Sequence, residues 1–252
     1  MQKCRGVAMR KAFADLHLRL NVEDHATTLQ VITEAAKLGY RLIAVPFSSE
    51  THGDEVAKLK VVCSEAKIDF ASRIDLRPRT QNELVHQLRR LRRKFEVICV
   101  NCENKQVARQ AAKDRRVDLL NFPLLDFRRR FFDRAEAELA SNSLAALEID
   151  VKPLLVLEGA VRIRFLSTLR REVAIAKEFH VPIVVSSGVA EAKLLRKPQE
   201  MAALTFLFGL DAASALKAVG QNPMAIVKRN REKLGSKFVA PGIRVIKEGK
   251  DC

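Results

Sequence analysis

The sequence predicts an α/β fold, a TIM-like (β/α) barrel of seven or eight parallel strands. Short apolar runs begin at intervals of 22 to 37 residues, and each interval has room for one strand and one helix. Alternating strands and helices favour right-handed crossovers and a parallel sheet. Regular spacing with little chain left over favours a closed barrel; an open doubly wound sheet stays the alternative. The predicted strands are residues 13–20, 41–47, 68–76, 95–101, 117–122, 144–150 and 181–187.

Several of the intervening helices have clear sequence signals at their ends. Asp24 predicts the N-cap of the first helix, and Gly39 predicts its C-terminal stop. Thr80 and Glu83 form a capping box before the third helix, whose leucines recur at a spacing that predicts a buried face. A late helix is predicted to begin with Asn222 as its cap. The leucines of the third helix are Leu84, Leu88 and Leu91.

The predicted elements occupy residues 1–235, which we interpret as a single barrel domain. Residues 236–252 mix Pro, Gly and charged residues without a clear period and predict a C-terminal tail. No apolar run approaches the roughly 20 residues that cross a bilayer, so no membrane association is expected. The amino terminus lacks the apolar segment of a secretory signal, and the five cysteines have no disulfide-framework spacing. We therefore expect a cytoplasmic protein with reduced thiols.

The strongest compositional signal is positive charge. The formal net charge is +15, from 45 Lys and Arg against 30 Asp and Glu. Residues 73–134 have 17 Lys and Arg against 8 Asp and Glu, so about a quarter of the chain holds more than half of the excess charge. Such a bias predicts a polyanionic partner, and the scarcity of Trp and Tyr disfavours base stacking on single strands. The composition therefore favours folded RNA that is recognised through its backbone and shape.

Three basic runs concentrate the arginines of this region, and a guanidinium can bind a phosphate through two of its nitrogens. A single charge run is usually only a solvated face, but three successive runs predict an RNA-binding surface. A further basic segment follows the sequence SSGV at residues 186–189. The predicted RNA contacts are Arg89, Arg90, Arg92, Arg93, Arg115, Arg116, Arg128, Arg129, Arg130, Lys193, Arg196 and Lys197.

The first predicted strand places Asp15 and His17 on the same face, near the mouth of a barrel. These residue types are credible metal ligands, but Arg19 follows two residues later. A hydrolytic barrel would require a second His on this face, and an Arg side chain there repels a metal ion. We therefore interpret Asp15 and His17 as the remnant of a metal site. The alternatives are an intact metal site and a buried Asp–His–Arg network with satisfied hydrogen bonds.

Four segments together resemble a known family. They are FADLH at residues 13–17, SSGV at residues 186–189, LLRKPQEMAALTFLFGL at residues 194–210 and NPMAIVKRNREKL at residues 222–234. The pattern is similar to ribonuclease P protein component 3, the archaeal member of the thirty-kilodalton ribonuclease P/MRP subunit family. The resemblance implies a barrel similar to the metal-dependent polymerase and histidinol phosphatase barrels. Those enzymes open with His-x-His on the first strand, and this sequence has no second His there.

The resemblance also implies a function, that of an archaeal ribonuclease P subunit. The holoenzyme removes the 5′ leader from precursor tRNA; in this family the RNA subunit is the catalyst and uses Mg²⁺. We therefore expect no catalytic residue, no bound metal and no cofactor in this chain. The expected partners are ribonuclease P RNA, precursor tRNA within the holoenzyme, a Pop5-type protein subunit in a heterotetramer, and other ribonuclease P proteins. A metal-dependent phosphoesterase and a general RNA-binding barrel stay open as alternatives.

Overall fold

The computed structural model describes residues 12–21, 23–51, 53–122, 130, 132–240 and 243–244. Its main sheet is parallel, and the spatial order of its strands follows their order in the chain. The strands are β1 (Phe13–Asp15), β2 (Tyr40–Phe47), β3 (Asp69–Leu76), β4 (Val97–Asn101), β5 (Leu119–Asn121), β6 (Ala146–Asp150) and β7 (Ile183–Ser186). This topology confirms the predicted barrel.

Helices connect the strands and cover the outside of the sheet. They are α1 (His25–Leu38), α2 (Gly53–Glu65), α3 (Gln81–Leu91), α4 (Lys105–Lys113), α5 (Arg134–Ser143), α6 (Lys152–Val156), α7 (Gly159–Glu178), α8 (Pro198–Leu204), α9 (Ala212–Leu216) and α10 (Asn222–Leu234). Short 3-10 turns at Ala192–Leu194 and Thr205–Phe208 and a π-helical turn at Lys217–Gln221 lie between them. Among the described helices, none is long and apolar enough to cross a membrane.

The ends of α1 and α3 follow the predicted capping. Asp24 accepts a hydrogen bond from the backbone N–H of Thr27, and Gly39 ends α1 in the left-handed conformation with a φ of 101°. Thr80 accepts a hydrogen bond from the backbone N–H of Glu83 at 3.2 Å, which caps α3. The buried residues of α3 are Leu84, Leu88 and Leu91, as predicted.

The predicted length of the first strand is wrong, since β1 ends at Asp15 and not at residue 20. Beyond Asp15 the backbone no longer pairs with a single strand but makes hydrogen bonds in two directions. The N–H of Leu18 donates to the carbonyl of Ala44 at 3.0 Å, and the N–H of Arg19 donates to the carbonyl of Val189 at 2.9 Å. These residues therefore bridge the two sides of the sheet where the barrel closes.

The predicted cap of the last helix is also wrong. Asn222 has helical backbone angles, because α10 continues directly from the π-helical turn before it. Its side-chain amide instead donates to the carbonyl of Ile183 at 2.8 Å. This bond ties the start of α10 to the start of β7.

The interior of the barrel is closed at its amino-terminal end by α10. Asn230 of this helix donates to the carbonyl of Glu96, just before β4, at 2.8 Å. Ile226 and Val227 pack into the barrel interior, where small and branched side chains of the strands meet. Those strand residues are Ala14, Leu16, Leu42, Ala44, Ala71, Val97, Cys99, Leu119, Ala146 and Val184.

Close backbone packing requires glycine where the segment before α10 contacts the first strand. A Cβ on Gly220 would lie 3.0 Å from the carbonyl oxygen of Ala12. After the carboxyl end of α10, an antiparallel hairpin lies outside the barrel sheet; its strands are β8 (Phe238–Ala240) and β9 (Ile243–Arg244). The sequence predicts only an aperiodic tail there, and its described part is this hairpin.

Candidate functional site

The carboxyl ends of the strands converge on buried polar side chains, which we call the mouth network. Because the strands are parallel, their carboxyl ends meet at one end of the barrel. Apart from Asp75, whose side chain is 15% exposed, the members are buried. The network consists of Asp15, His17, Arg73, Asp75, Asn121, Glu148, Asp150 and Ser186.

Arg73 lies at the centre of the mouth network and is fully buried. Its two terminal nitrogens bind both carboxylate oxygens of Glu148, at 2.6 and 2.7 Å. Its Nε donates to Asp75 at 2.6 Å, and a further hydrogen bond of 2.7 Å goes to the carbonyl of Leu16. Pairing of this quality is what offsets the desolvation of buried charges.

His17 is buried between two carboxylates of the mouth network. Its Nδ1 lies 2.8 Å from Asp150 Oδ1, and its Nε2 lies 3.3 Å from Asp75 Oδ2. Burial and the charge of Arg73 oppose protonation of the ring, but Asp150 and Asp75 outweigh both and raise the pKa of His17 to about 9. The two carboxylates favour the protonated ring, whereas the Nε–H of Arg19 donates to Nε2 of His17 at 3.1 Å and favours the neutral one.

We expect His17 to make the stability of the fold depend on pH. The pKa of His17 rises from 6.5 to about 9 on folding. Its stabilisation is therefore complete below about pH 6.5 and is lost as the pH rises to about 9. In urea unfolding, the wild type should show a lower midpoint at about pH 9 than at about pH 6, and His17→Gln should show a smaller drop. An equal drop in both proteins would show that His17 is not the titrating group.

The mouth network does not fit a metal ion. His17, Glu148 and Asp150 offer ligand atoms that all lie within 4.8 Å of one another, a grouping that a metal could use. However, both oxygens of Glu148 already bind the guanidinium of Arg73. A metal-binding His must also be neutral, whereas the pKa of His17 is raised. Asp15 is not part of this grouping, and the interpretation of Asp15 and His17 as a remnant stays a prediction.

The buried arginine of this network is Arg73, which the sequence analysis did not single out. Arg19, which the Asp–His–Arg alternative would bury, lies at the rim with its side chain 44% exposed. Asp15 accepts hydrogen bonds from the backbone N–H groups of His17 and Ser187, at 3.1 and 3.0 Å. The signal for Arg73 is the alternation in DFASRIDL, which puts it on the inward face between residues 71 and 75.

The turn after β7, within the SSGV segment, holds the mouth network in place. Gly188 has a φ of 67°, and a Cβ at this position would lie 2.9 Å from the carboxylate carbon of Asp150. Its N–H donates to the carbonyl of His17 at 3.0 Å. Only glycine meets both the conformational and the steric requirement at this position.

The predicted RNA-binding arginines between residues 89 and 116 divide into two groups. Arg92 binds Asp118 and Arg116 binds Asp114, each at 2.6 Å, so these two stabilise the protein itself. The others are exposed and have no ion pair with a carboxylate in the described part of the chain. We call this second group the arginine surface; it consists of Arg89, Arg90, Arg93 and Arg115.

Arg130 requires a correction, because it is buried in the protein and not part of a surface. Its Nε donates to Glu172 of α7 at 2.9 Å. Its guanidinium carbon lies 6.0 Å from the ring centroid of Phe122 and 5.5 Å from that of Phe165. A guanidinium held in this way cannot reach a phosphate. Arg128 and Arg129 lie outside the described residues.

The second basic segment extends from the first 3-10 turn, which contains Lys193, to the start of α8. Lys193 binds Glu191 at 2.7 Å at the surface. Arg196 is half-buried and donates to the backbone carbonyls of Lys193 and Leu195. Lys197 is exposed. RNA contact by Lys193, Arg196 and Lys197 stays a prediction.

Known proteins match this chain over nearly its whole length. A family model, RNase P subunit p30, matches residues 12–234. The chain belongs to the RNase P subunit p30 family. Membership confirms the prediction that was based on the four sequence segments, and with it the role of a ribonuclease P protein subunit. It disfavours the phosphoesterase alternative, for which the mouth network is also unsuited.

Individual members of the RNase P subunit p30 family have similar length and moderate identity. Ribonuclease P protein component 3 of Methanosarcina mazei is 31% identical, over 91% of this chain and 94% of that protein. The same component of Methanosarcina barkeri is 30% identical, over 90% and 93%. A chain in a cryo-EM structure of archaeal ribonuclease P with mature tRNA is 24% identical and has a TM-score of 0.80, covering 94% of this chain and 100% of that chain. That match shows a shared fold.

Proposed function

We propose that this chain is a non-catalytic subunit that neutralises phosphates of the ribonuclease P RNA through its arginine surface. The observation that carries the proposal is the contrast between neighbouring arginines. Arg92 and Arg116 are paired with carboxylates, whereas the members of the arginine surface are exposed and have no such partner among the described residues. Free guanidinium groups on one surface favour contact with RNA phosphates.

The paired arginines give the arginine surface a rigid base. Arg92 follows α3 directly and binds Asp118, the carbonyl of Arg116 and the carbonyl of Glu96. These bonds fix the end of α3 against the segment that leads into β5. Arg115 belongs to that segment, so the free guanidiniums project from backbone that is already ordered. Preorganisation of this kind reduces the entropic cost of binding.

The proposal assigns the chemistry to the RNA subunit, which would use Mg²⁺, and no metal or cofactor to this chain. The lack of fit between the mouth network and a metal supports this division. Within the holoenzyme, which acts on precursor tRNA, the chain would contact a Pop5-type protein in a heterotetramer and the other ribonuclease P proteins. We place the complex in the cytoplasm, where Cys63, Cys99 and Cys102, which are free and buried, would remain reduced.

The test removes the charge of the arginine surface and compares it with an equal loss elsewhere. Arg89, Arg90, Arg93 and Arg115 are replaced together by Gln. The control variant replaces four other exposed arginines that have no ion pair in the described ranges, namely Arg41, Arg162, Arg164 and Arg171. Both proteins lose the same charge, so any difference between them depends on location.

We expect reconstituted precursor-tRNA cleavage at limiting Mg²⁺ to fall about tenfold or more with the arginine-surface variant and about twofold or less with the control. The slope of log affinity for RNA against log salt concentration should become less negative by about three, because each lost phosphate contact removes about 0.7 to 0.9 from its magnitude. Equal losses in both variants would favour a general RNA-binding barrel. Normal cleavage by the arginine-surface variant would contradict the proposal, as would cleavage by this chain without the RNA subunit.

A further inference from the structure

A second basic cluster lies at the amino-terminal end of the barrel, on the side where α10 closes it. Its organising residue is Asp118, whose buried carboxylate precedes β5. One carboxylate oxygen binds Arg92 at 2.6 Å, and the other binds Arg229 of α10 at 3.0 Å. The N–H of Ile98 also donates to this carboxylate, at 2.9 Å. Arginines from two separate parts of the chain are thereby held side by side.

Two further cations, Lys233 and Arg115, lie near Arg92 and Arg229, so the cluster has an excess of positive charge. Lys233, one turn after Arg229 on α10, is exposed and has no ion pair within the described ranges. Burial and repulsion from Arg229 lower the pKa of Lys233; Asp118 acts in the opposite direction, and Arg92 and Arg115 add to the lowering. One carboxylate is therefore outnumbered by four cationic side chains. We call these four the basal cluster: Arg92, Arg115, Arg229 and Lys233.

Arg229 also has a donor that the protein does not use. Its Nε is buried and has no hydrogen-bond acceptor among the residues that the structure describes. Its guanidinium is only partly covered, with the side chain 27% exposed. A small reorientation toward an anion would give Nε an acceptor, and Arg92 would keep Asp118 paired. Unsatisfied buried donors are uncommon and destabilising, so such a shift is favourable.

We infer that the basal cluster binds the phosphate backbone of RNA through Arg115, Arg229 and Lys233, while Arg92 keeps Asp118 paired, and that it extends the arginine surface across the amino-terminal end of the barrel. The inference rests on the proposed function. Arg115 belongs to both groups and links them, since Arg92 at the end of α3 donates to the carbonyl of the adjacent Arg116. Planar guanidiniums beside an ammonium match successive phosphates, and repulsion among the four cations is relieved when an anion binds. Neither Arg229 nor Lys233 is among the RNA contacts predicted from the sequence.

The experiment compares two single substitutions on the same helix. Lys233→Gln removes a cation of the basal cluster, and Lys228→Gln removes an exposed lysine of α10 that has no ion pair in the described part of the chain. Neither substitution breaks an ion pair, so both proteins should keep the melting temperature of the wild type. Affinity for ribonuclease P RNA is measured with the full chain over a range of salt concentrations.

We expect Lys233→Gln to weaken RNA binding by about three- to tenfold and to make the slope of log affinity against log salt concentration less negative by about one. Lys228→Gln should weaken RNA binding by about twofold or less. Equal behaviour of the two variants would overturn the inference. So would a Lys233→Gln protein that binds RNA normally but has lost affinity for its protein partner, because the cluster would then face an acidic protein surface. If the four-arginine variant loses cleavage while Lys233→Gln matches Lys228→Gln, the proposed function stands and only the inference fails.

Discussion

Replacing Arg73 with Ala is expected to lower the free energy of unfolding by about 3–5 kcal/mol, because it leaves buried carboxylates without their counter-charge. Glu148 loses both of its short hydrogen bonds to the guanidinium, and Asp75 loses one. Urea unfolding at neutral pH measures the effect. The control is Arg77→Ala, an exposed arginine just after β3, which should change stability by about 0.5 kcal/mol or less. Similar effects of the two substitutions would show that the mouth network is not a buried ion-pair centre.

The same variant tests whether the guanidinium excludes a metal. Without Arg73, both carboxylate oxygens of Glu148 are released beside His17 and Asp150, and a metal ion that displaces the ring proton of His17 can use all three ligands. Stoichiometric Zn²⁺ or Mn²⁺ should therefore raise the melting temperature of Arg73→Ala and leave that of the wild type unchanged. Stabilisation of the wild type by the same metals would contradict the remnant interpretation.

Replacing Glu172 with Ala is expected to have an effect of similar size, about 3–5 kcal/mol, because the buried guanidinium of Arg130 would lose two short hydrogen bonds to this carboxylate. Arg130 lies against the rings of Phe122 and Phe165, so its charge has little access to water. Calorimetric or urea unfolding gives the measurement. Glu178→Ala, on the same helix as Glu172, breaks a surface ion pair with Arg134 of α5 and should cost about 1 kcal/mol or less. A small effect of both substitutions would contradict the expectation that Glu172 is essential for holding Arg130 in the protein interior.

The architecture was predictable from the sequence, because a barrel of this kind repeats one local unit. Each strand-plus-helix interval can be recognised without its neighbours, and the caps at Asp24 and Thr80 depend on residues within one turn. The strand end at Asp15 was not predictable in this way. It depends on Ala44 and Val189, which lie far from it in the chain.

The candidate sites were predictable in composition but not in detail. A run of arginines shows where positive charge accumulates, yet it does not show which arginines are neutralised. Arg92 is paired because Asp118, 26 residues away, is placed beside it by the fold. Arg130 is buried because Glu172, 42 residues away, reaches it from α7. Such long-range pairing depends on the tertiary structure and cannot be predicted from the charges within one segment.

The closure of the barrel by α10 has a consequence for the order in which the chain folds during synthesis. The ribosome delivers the strands in their spatial order, but Ile226 and Val227, which cover the apolar interior, emerge only after all seven strands of the barrel sheet. Until then the first strand also lacks its packing contact with Gly220, which lies against the Ala12 carbonyl and the Phe13 ring. Contacts of such long sequence separation form slowly and leave apolar surface open to aggregation. A nascent chain that has not yet reached α10 therefore exposes the apolar interior of the barrel to solvent.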